Sequence, residues 1–133
     1  MNKTIVKILA LSLIAVMMCL ALVSCGGPNA DPDKAEEALK KADYTVVKAD
    51  DDISLALYEA AGVKGLECVI TAFNEDEEGI VILYFEDKDA ANEAWEEVEK
   101  DAKEEMEDEE DVVIKKSGKM IYYGTKEAVK AAK

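Results

Sequence analysis

The chain has no histidine, and all 16 of its basic residues are lysine, so arginine is missing as well. These two absences remove whole classes of chemistry. Without histidine there is no Ser-His-Asp triad and no histidine metal site, and without arginine there is no bidentate clamp for phosphate or carboxylate. A glycine-rich phosphate loop is also lacking, and no cofactor is expected. Positive charge is scarce beside the 30 aspartates and glutamates, which leave a net charge of −14. A domain so acidic is a poor ligand for the phosphate backbone, so nucleic acid is excluded as a partner. Cysteine is rare too: Cys19, Cys25 and Cys68 are the only three.

What is present begins with an apolar run. Met1 to Lys7 carries Lys3 and Lys7 and no acid, and Ile8 to Val23 is apolar or small except for Ser12. A basic start followed by such a run has the layout of a secretory signal. As a helix the run is about 24 Å long at ~1.5 Å per residue, and it falls short of the roughly 20 residues of a stable bilayer span. It ends in Leu22-Val23-Ser24-Cys25, followed by Gly26-Gly27-Pro28.

Leu22-Val23-Ser24-Cys25 resembles the lipobox of bacterial lipoprotein precursors. The resemblance implies that signal peptidase II cuts between Ser24 and Cys25, and that the Cys25 thiol carries a diacylglycerol anchor of palmitate type. The protein would then be held at the extracytoplasmic face of the cell membrane. An ordinary secretory signal with an incidental cysteine, or an uncleaved anchor, are the other readings of this segment. The resemblance covers residues 1–25 only. Gly26 in place of an aspartate gives no retention signal of the enterobacterial kind, and the sequence leaves open whether the host has one membrane or two.

Cleavage would change the charge balance. Lys3 and Lys7 leave with the signal, so 14 lysines face 30 acids and the net charge becomes −16. About 109 residues remain, enough for one compact domain. With Cys19 discarded and Cys25 acylated, Cys68 has no intramolecular partner, and stability must come from the core instead of a disulfide. The expected organisation is a signal over 1–24, a lipidated cysteine and short tether over 25–32, and a single acidic domain over 33–133. Residues 26–32 extended would reach about 24 Å at ~3.4 Å per residue. Like charge should keep the domain off an anionic bilayer and favour a monomer.

Periodicity predicts an α+β domain. Asp31-Pro32 supplies a cap and a first-turn proline, with Asp33 to Glu36 a rival capping box, for a helix reaching Ala42. Strands follow at Tyr44–Lys48, Leu66–Phe73 and Ile80–Phe85, the last apolar on both faces. Asp50-Asp51-Asp52 can cap a short helix from Ile53 to Ala61, although Ile53, Leu55 and Leu57 also fit strand alternation. Asp87 caps the longest helix, whose stripe is Ala91, Ala94, Trp95, Val98, Ala102 and Met106, with fraying expected over 104–111. Val112–Lys116, a Ser117-Gly118 turn and Met120–Tyr123 form a hairpin. Gly124-Thr125 then stops the strand and caps a last helix over 126–132. The expected fold is a mainly antiparallel sheet of about five strands, with the long helix and shorter helices on one face. A ferredoxin-like sandwich or a relative of it is the leading architecture.

Few residues suggest a site. Asn74, Asp76 and Glu78 alternate before Gly79 like the start of a calcium loop, but Phe85 occupies the position of the closing glutamate. A solvated hairpin turn accounts for them better, and no metal site is assigned. Cys68, without a base to hold a thiolate, reads as a small buried hydrophobe. Tyr122 and Tyr123 should point to opposite faces. An exposed Tyr122 beside Lys115, Lys116 and Lys119 would form the one concentrated positive patch, either for a partner or to guard an edge strand. The reading that results is a non-catalytic module that binds an envelope protein or a small ligand. The alternative is a small carboxylate-dependent hydrolase or transferase, which needs two acids converging in a pocket.

Overall fold

The computed structural model of the chain describes residues 27–105 and 112–133. Ser24, Cys25, Met106 and most of the stretch where fraying was expected lie outside them. The elements, in order, are α1 (Pro32–Lys41), β1 (Thr45–Ala49), α2 (Asp52–Ala60), β2 (Leu66–Phe73), β3 (Gly79–Phe85), α3 (Lys88–Glu105), β4 (Val112–Ser117), β5 (Met120–Thr125) and α4 (Lys126–Ala131).

Caps fix where the helices begin. Asp31 accepts the Asp33 N–H at 2.9 Å, and Pro32 sits where no helical N–H is needed, so the rival start at Asp33 is not used. Asp51 is the capping residue of the aspartate triplet; it accepts the Ser54 N–H at 2.6 Å, and this bond holds its carboxyl below the usual range. That cap decides between helix and strand for the Ile53 segment. Asp87 accepts the Ala90 N–H at 2.8 Å and opens α3 as expected.

The sheet runs β1-β2-β3-β5-β4 with every neighbour antiparallel. An α+β fold with five antiparallel strands and one long helix is what the periodicity implied. Two details differ from a ferredoxin-like sandwich with its helices on one face. First, β1 pairs directly with β2, and only β5 is interposed between β3 and β4. Second, helices cover both faces of the sheet. On the front face α1 and α4 bury Cys68, Ile70, Ile82, Tyr84 and Tyr122. On the back face α2 and α3 pack over Val69, Leu83, Phe85 and Ile121. The cause is the composition of β2 and β3, which are apolar at both odd and even positions. Leaving either face open would expose a full row of Ile, Val and Leu at roughly 1.5–3 kcal/mol per side chain.

β5 also runs two residues further than expected, through Gly124 to Thr125. Gly124 can stay in the strand because it lies against the Gly79–Ile80 backbone, where no side chain would fit. Thr125 does two jobs. Its hydroxyl oxygen accepts the Ala128 N–H at 3.3 Å, capping α4, and the Gly79 N–H at 3.3 Å from β3. Thr125→Ala is therefore expected to cost about 1–2 kcal/mol, read as a lower urea midpoint.

The segment expected to be a tether is seated on the domain where it is described. The Asn29 N–H donates to the Ala132 carbonyl at 2.8 Å, and the Tyr84 hydroxyl donates to the Asn29 carbonyl at 2.8 Å. Pro28 is buried and Gly27 lies against the Tyr122 ring. From Gly27 onward the chain thus crosses the front face.

Candidate interaction surface

The positive patch expected from the sequence does not assemble. Tyr122 is 1% exposed, in the front core, and burial pushes its hydroxyl up to about 12. Lys115 pairs in register with Tyr122 and so shares its face, whereas Lys116 pairs with Ile121 and points to the back. There Lys116 bonds the Asn92 side chain of α3 and lies 6.0 Å from the centre of the Trp95 ring. Lys119 stays exposed in the turn. The lysines do lie on an edge, since β4 ends the sheet, which fits their edge-guarding role.

The Asn74–Glu78 loop is a closed turn. Asn74 Oδ1 accepts the N–H groups of Asp76 and Glu78, each at 3.0 Å, and the Asn74 N–H returns to the Glu78 carbonyl. The oxygen that would begin a calcium loop is thus spent on the backbone. Beside it lies an open cleft of about 600 Å³ between the end of α1 and the β2–β3 turn, lined by Ala42, Asp43, Thr45, Phe73 and residues 74–76. Its carboxylates, Asp43, Glu75 and Asp76, are all exposed. Among the described residues no aspartate or glutamate is buried, and no three acids or cysteines gather as a metal set. Among the described residues the carboxylate-enzyme alternative finds no acid pair withdrawn from water.

Cys68 is 4% exposed on the front face, and burial pushes its thiol up to about 11, against the opposing pull of Lys48. At neutral pH it is a thiol in a hydrophobic core. Tyr84 is raised well above its ordinary value by burial. Below about pH 7.5 these groups are protonated in both folded and unfolded chains. As pH rises past the unfolded values, near 8.5 for cysteine and 10 for tyrosine, the unfolded chain ionises first. Stability is then lost by up to about tenfold in the folding equilibrium per pH unit and per group. Urea midpoints measured from pH 7 to 11 should begin to fall at about pH 8.5, and Cys68→Ala should delay that onset.

The surface that stands out was not singled out by the sequence. α2 buries no residue fully; Leu55 and Tyr58 half-cover the back core. Its outer side carries Ile53, 81% exposed, and Leu57, 71% exposed, with Ala56 and Ala60 between and beyond them. These positions follow the i, i+3, i+4, i+7 spacing of one helix face. Val47, 57% exposed, is a further uncovered apolar residue, on the back side of β1. No known protein family, curated protein or solved structure matches the chain. Among the described residues no helix is long and apolar enough to cross a membrane. The legible hint was numerical. Ile53, Leu55, Leu57 and Tyr58 within nine residues are more than the one inward face of a short helix can hide.

Proposed function

We propose that the chain is a bacterial lipoprotein, held through Cys25 at the extracytoplasmic face of a membrane, whose domain is a non-catalytic interaction module. One observation carries the interaction reading: the outward apolar face of α2. Ile53 and Leu57 in water forgo roughly 1.5–3 kcal/mol each that a partner's surface would return. A short helix offering anchors at this spacing is suited to lie in an apolar groove. The anchor reading rests on the lipobox resemblance, and the layout of the domain suits it. The chain enters on the front face, while α2 lies on the back, so a domain held from its N-terminus would turn the apolar helix away from the bilayer.

Two measurements test the two halves. Metabolic labelling with an alkyne palmitate should mark the full chain and lose the mark in Cys25→Ser; equal labelling of both would sink the anchor. For the module, the full chain and its Ile53→Glu/Leu57→Glu variant are compared by capture from envelope membranes. An envelope protein or small ligand retained by the first and lost from the second is expected. Identical retention by both would remove α2 from the reading.

A further inference from the structure

Taken as a total, the negative charge predicts a domain held off an anionic bilayer. The two faces of the sheet share that charge unequally. On the back, α3 carries eight acids against three lysines, and α2 carries Asp52 and Glu59 with no lysine. On the front, α1 matches Asp33, Glu36 and Glu37 with Lys34, Lys40 and Lys41, and α4 has Lys126 and Lys130 against Glu127. The back helices thus sum to seven negative charges, and the front helices to one positive.

Pairing and position sharpen the contrast. Three front acids already face lysine: Asp33 and Glu36 hold Lys48 at 2.5 and 3.9 Å, and Glu127 lies 3.8 Å from Lys130. Lys34, Lys115 and Lys133 have no ion pair among the described residues. All three follow the entering chain. Lys115 is the register partner of Tyr122, whose ring Gly27 touches. Lys133 comes directly after Ala132, which accepts the Asn29 N–H, and Lys34 is in the first turn of the helix that Asp31 caps.

We propose that the front face lies against the bilayer, with Lys34, Lys115 and Lys133 on the phosphate groups of anionic lipids around the anchor and α3 turned to the aqueous side. The inference rests on the reading of Cys25 as the lipid anchor, and adds to it a contact surface and a lipid chemistry. Whatever its conformation, the chain from Cys25 to Gly27 spans at most about 7 Å. An acylated Cys25 therefore brings headgroups beside the part of the front face where Gly27 meets Tyr122.

Distance decides which charges the bilayer feels. Layers about 10 Å apart put the α3 axis roughly 20 Å beyond those of α1 and α4. The screening length in physiological salt is about 8 Å. Headgroups under the front face therefore sense its lysines, and the acids of α3 only weakly. Each lysine near an anionic surface favours the facing orientation by about fivefold. Turning the domain over would instead press α3 onto the headgroups, where its five excess acids are repelled. The anchor supplies the attachment, and the division of charge selects one orientation.

Depth-dependent quenching of the lipidated full chain tests this, in vesicles of phosphatidylcholine and phosphatidylglycerol that carry a nitroxide on their headgroups. A bimane on Glu37→Cys, exposed on α1, should be quenched severalfold more than one on Glu97→Cys, exposed on α3. The native Cys68 is buried and takes no label. Adding Lys34→Glu/Lys133→Glu should bring the two sites close to equal, and so should leaving out phosphatidylglycerol. Lys88→Glu/Lys100→Glu, exposed on α3, should keep the difference. Equal quenching at the two sites, or a difference unmoved by Lys34→Glu/Lys133→Glu or by the loss of phosphatidylglycerol, overturns the proposal. Equal quenching with palmitate labelling still dependent on Cys25 would remove the orientation and leave the anchor standing. Palmitate labelling that persists in Cys25→Ser would remove the anchor itself.

Discussion

Gly124→Ala is expected to unfold the domain or to lower its stability by about 3 kcal/mol or more. A Cβ built on Gly124 would stand 2.3 Å from the Gly79 carbonyl oxygen and 2.6 Å from the Ile80 Cα. Both are backbone atoms of β3, in register with β5 at Ile80–Gly124, so neither can swing aside as a side chain end could. Relief requires β3 and β5 to part where Thr125 also ties them together. The fluorescence of Trp95, the one tryptophan, half-buried on α3, would follow urea unfolding. Gly118→Ala is the control. Gly118 has a φ of 60° but nothing within 4 Å of an added Cβ, so its cost is the left-handed backbone alone, about 1 kcal/mol. A Gly124→Ala variant no weaker than Gly118→Ala would contradict the close approach of β3 and β5.

Tyr122→Ala should cost about 3–5 kcal/mol, the range of large aromatic deletions from a core, whereas Tyr123→Ala should cost distinctly less. Tyr122 is among the largest fully buried side chains, packed between β3 and the helices of the front face. Removing it empties the space under Gly27 and unseats the entering chain as well as the core. Two readouts are expected to move together: a lower urea midpoint, and faster proteolytic trimming in the segment 27–31. A variant with normal midpoint would return Tyr122 to the surface, where the sequence alone had placed it.

The tyrosine pair shows where sequence pattern stops being informative. Alternation correctly placed Tyr122 and Tyr123 on opposite faces, but it could not say which face was which. With Met120, Ile121 and both tyrosines apolar or amphipathic, β5 reads equally well in either phase. The phase is set by partners distant in sequence: Ile82 beside Tyr122 and Gly27 above its ring. The same reason explains the helices. Three of them were legible from caps at Asp31, Asp87 and Thr125, all local, and the fourth was one of two readings after the aspartate triplet at 50–52. The bounds of β2 were read to the residue. Which face each helix covers depends on strand order, which no local spacing encodes. The lysines at 115, 116 and 119 were adjacent in sequence and looked like one patch. A hairpin separates such neighbours onto two faces, and Lys116 ended on α3. The outward face of α2 was hidden in plain view, because the same apolar residues also fitted a strand.

The bond between Asn29 and Ala132 makes the fold nearly a closed ring, with the residues that lead in and those that follow α4 in direct contact. The order of elements along the chain is then separable from their arrangement in space. A circular permutant that bridges 133 to 27 with a short glycine linker and opens at the exposed Gly118 turn keeps every strand neighbour. Nearby ends and an exposed turn are the conditions under which such rearrangements are tolerated. In that permutant the β4 edge would acquire the free ends. The β1 edge and α2 would be left untouched, so the two borders of the sheet could be altered one at a time.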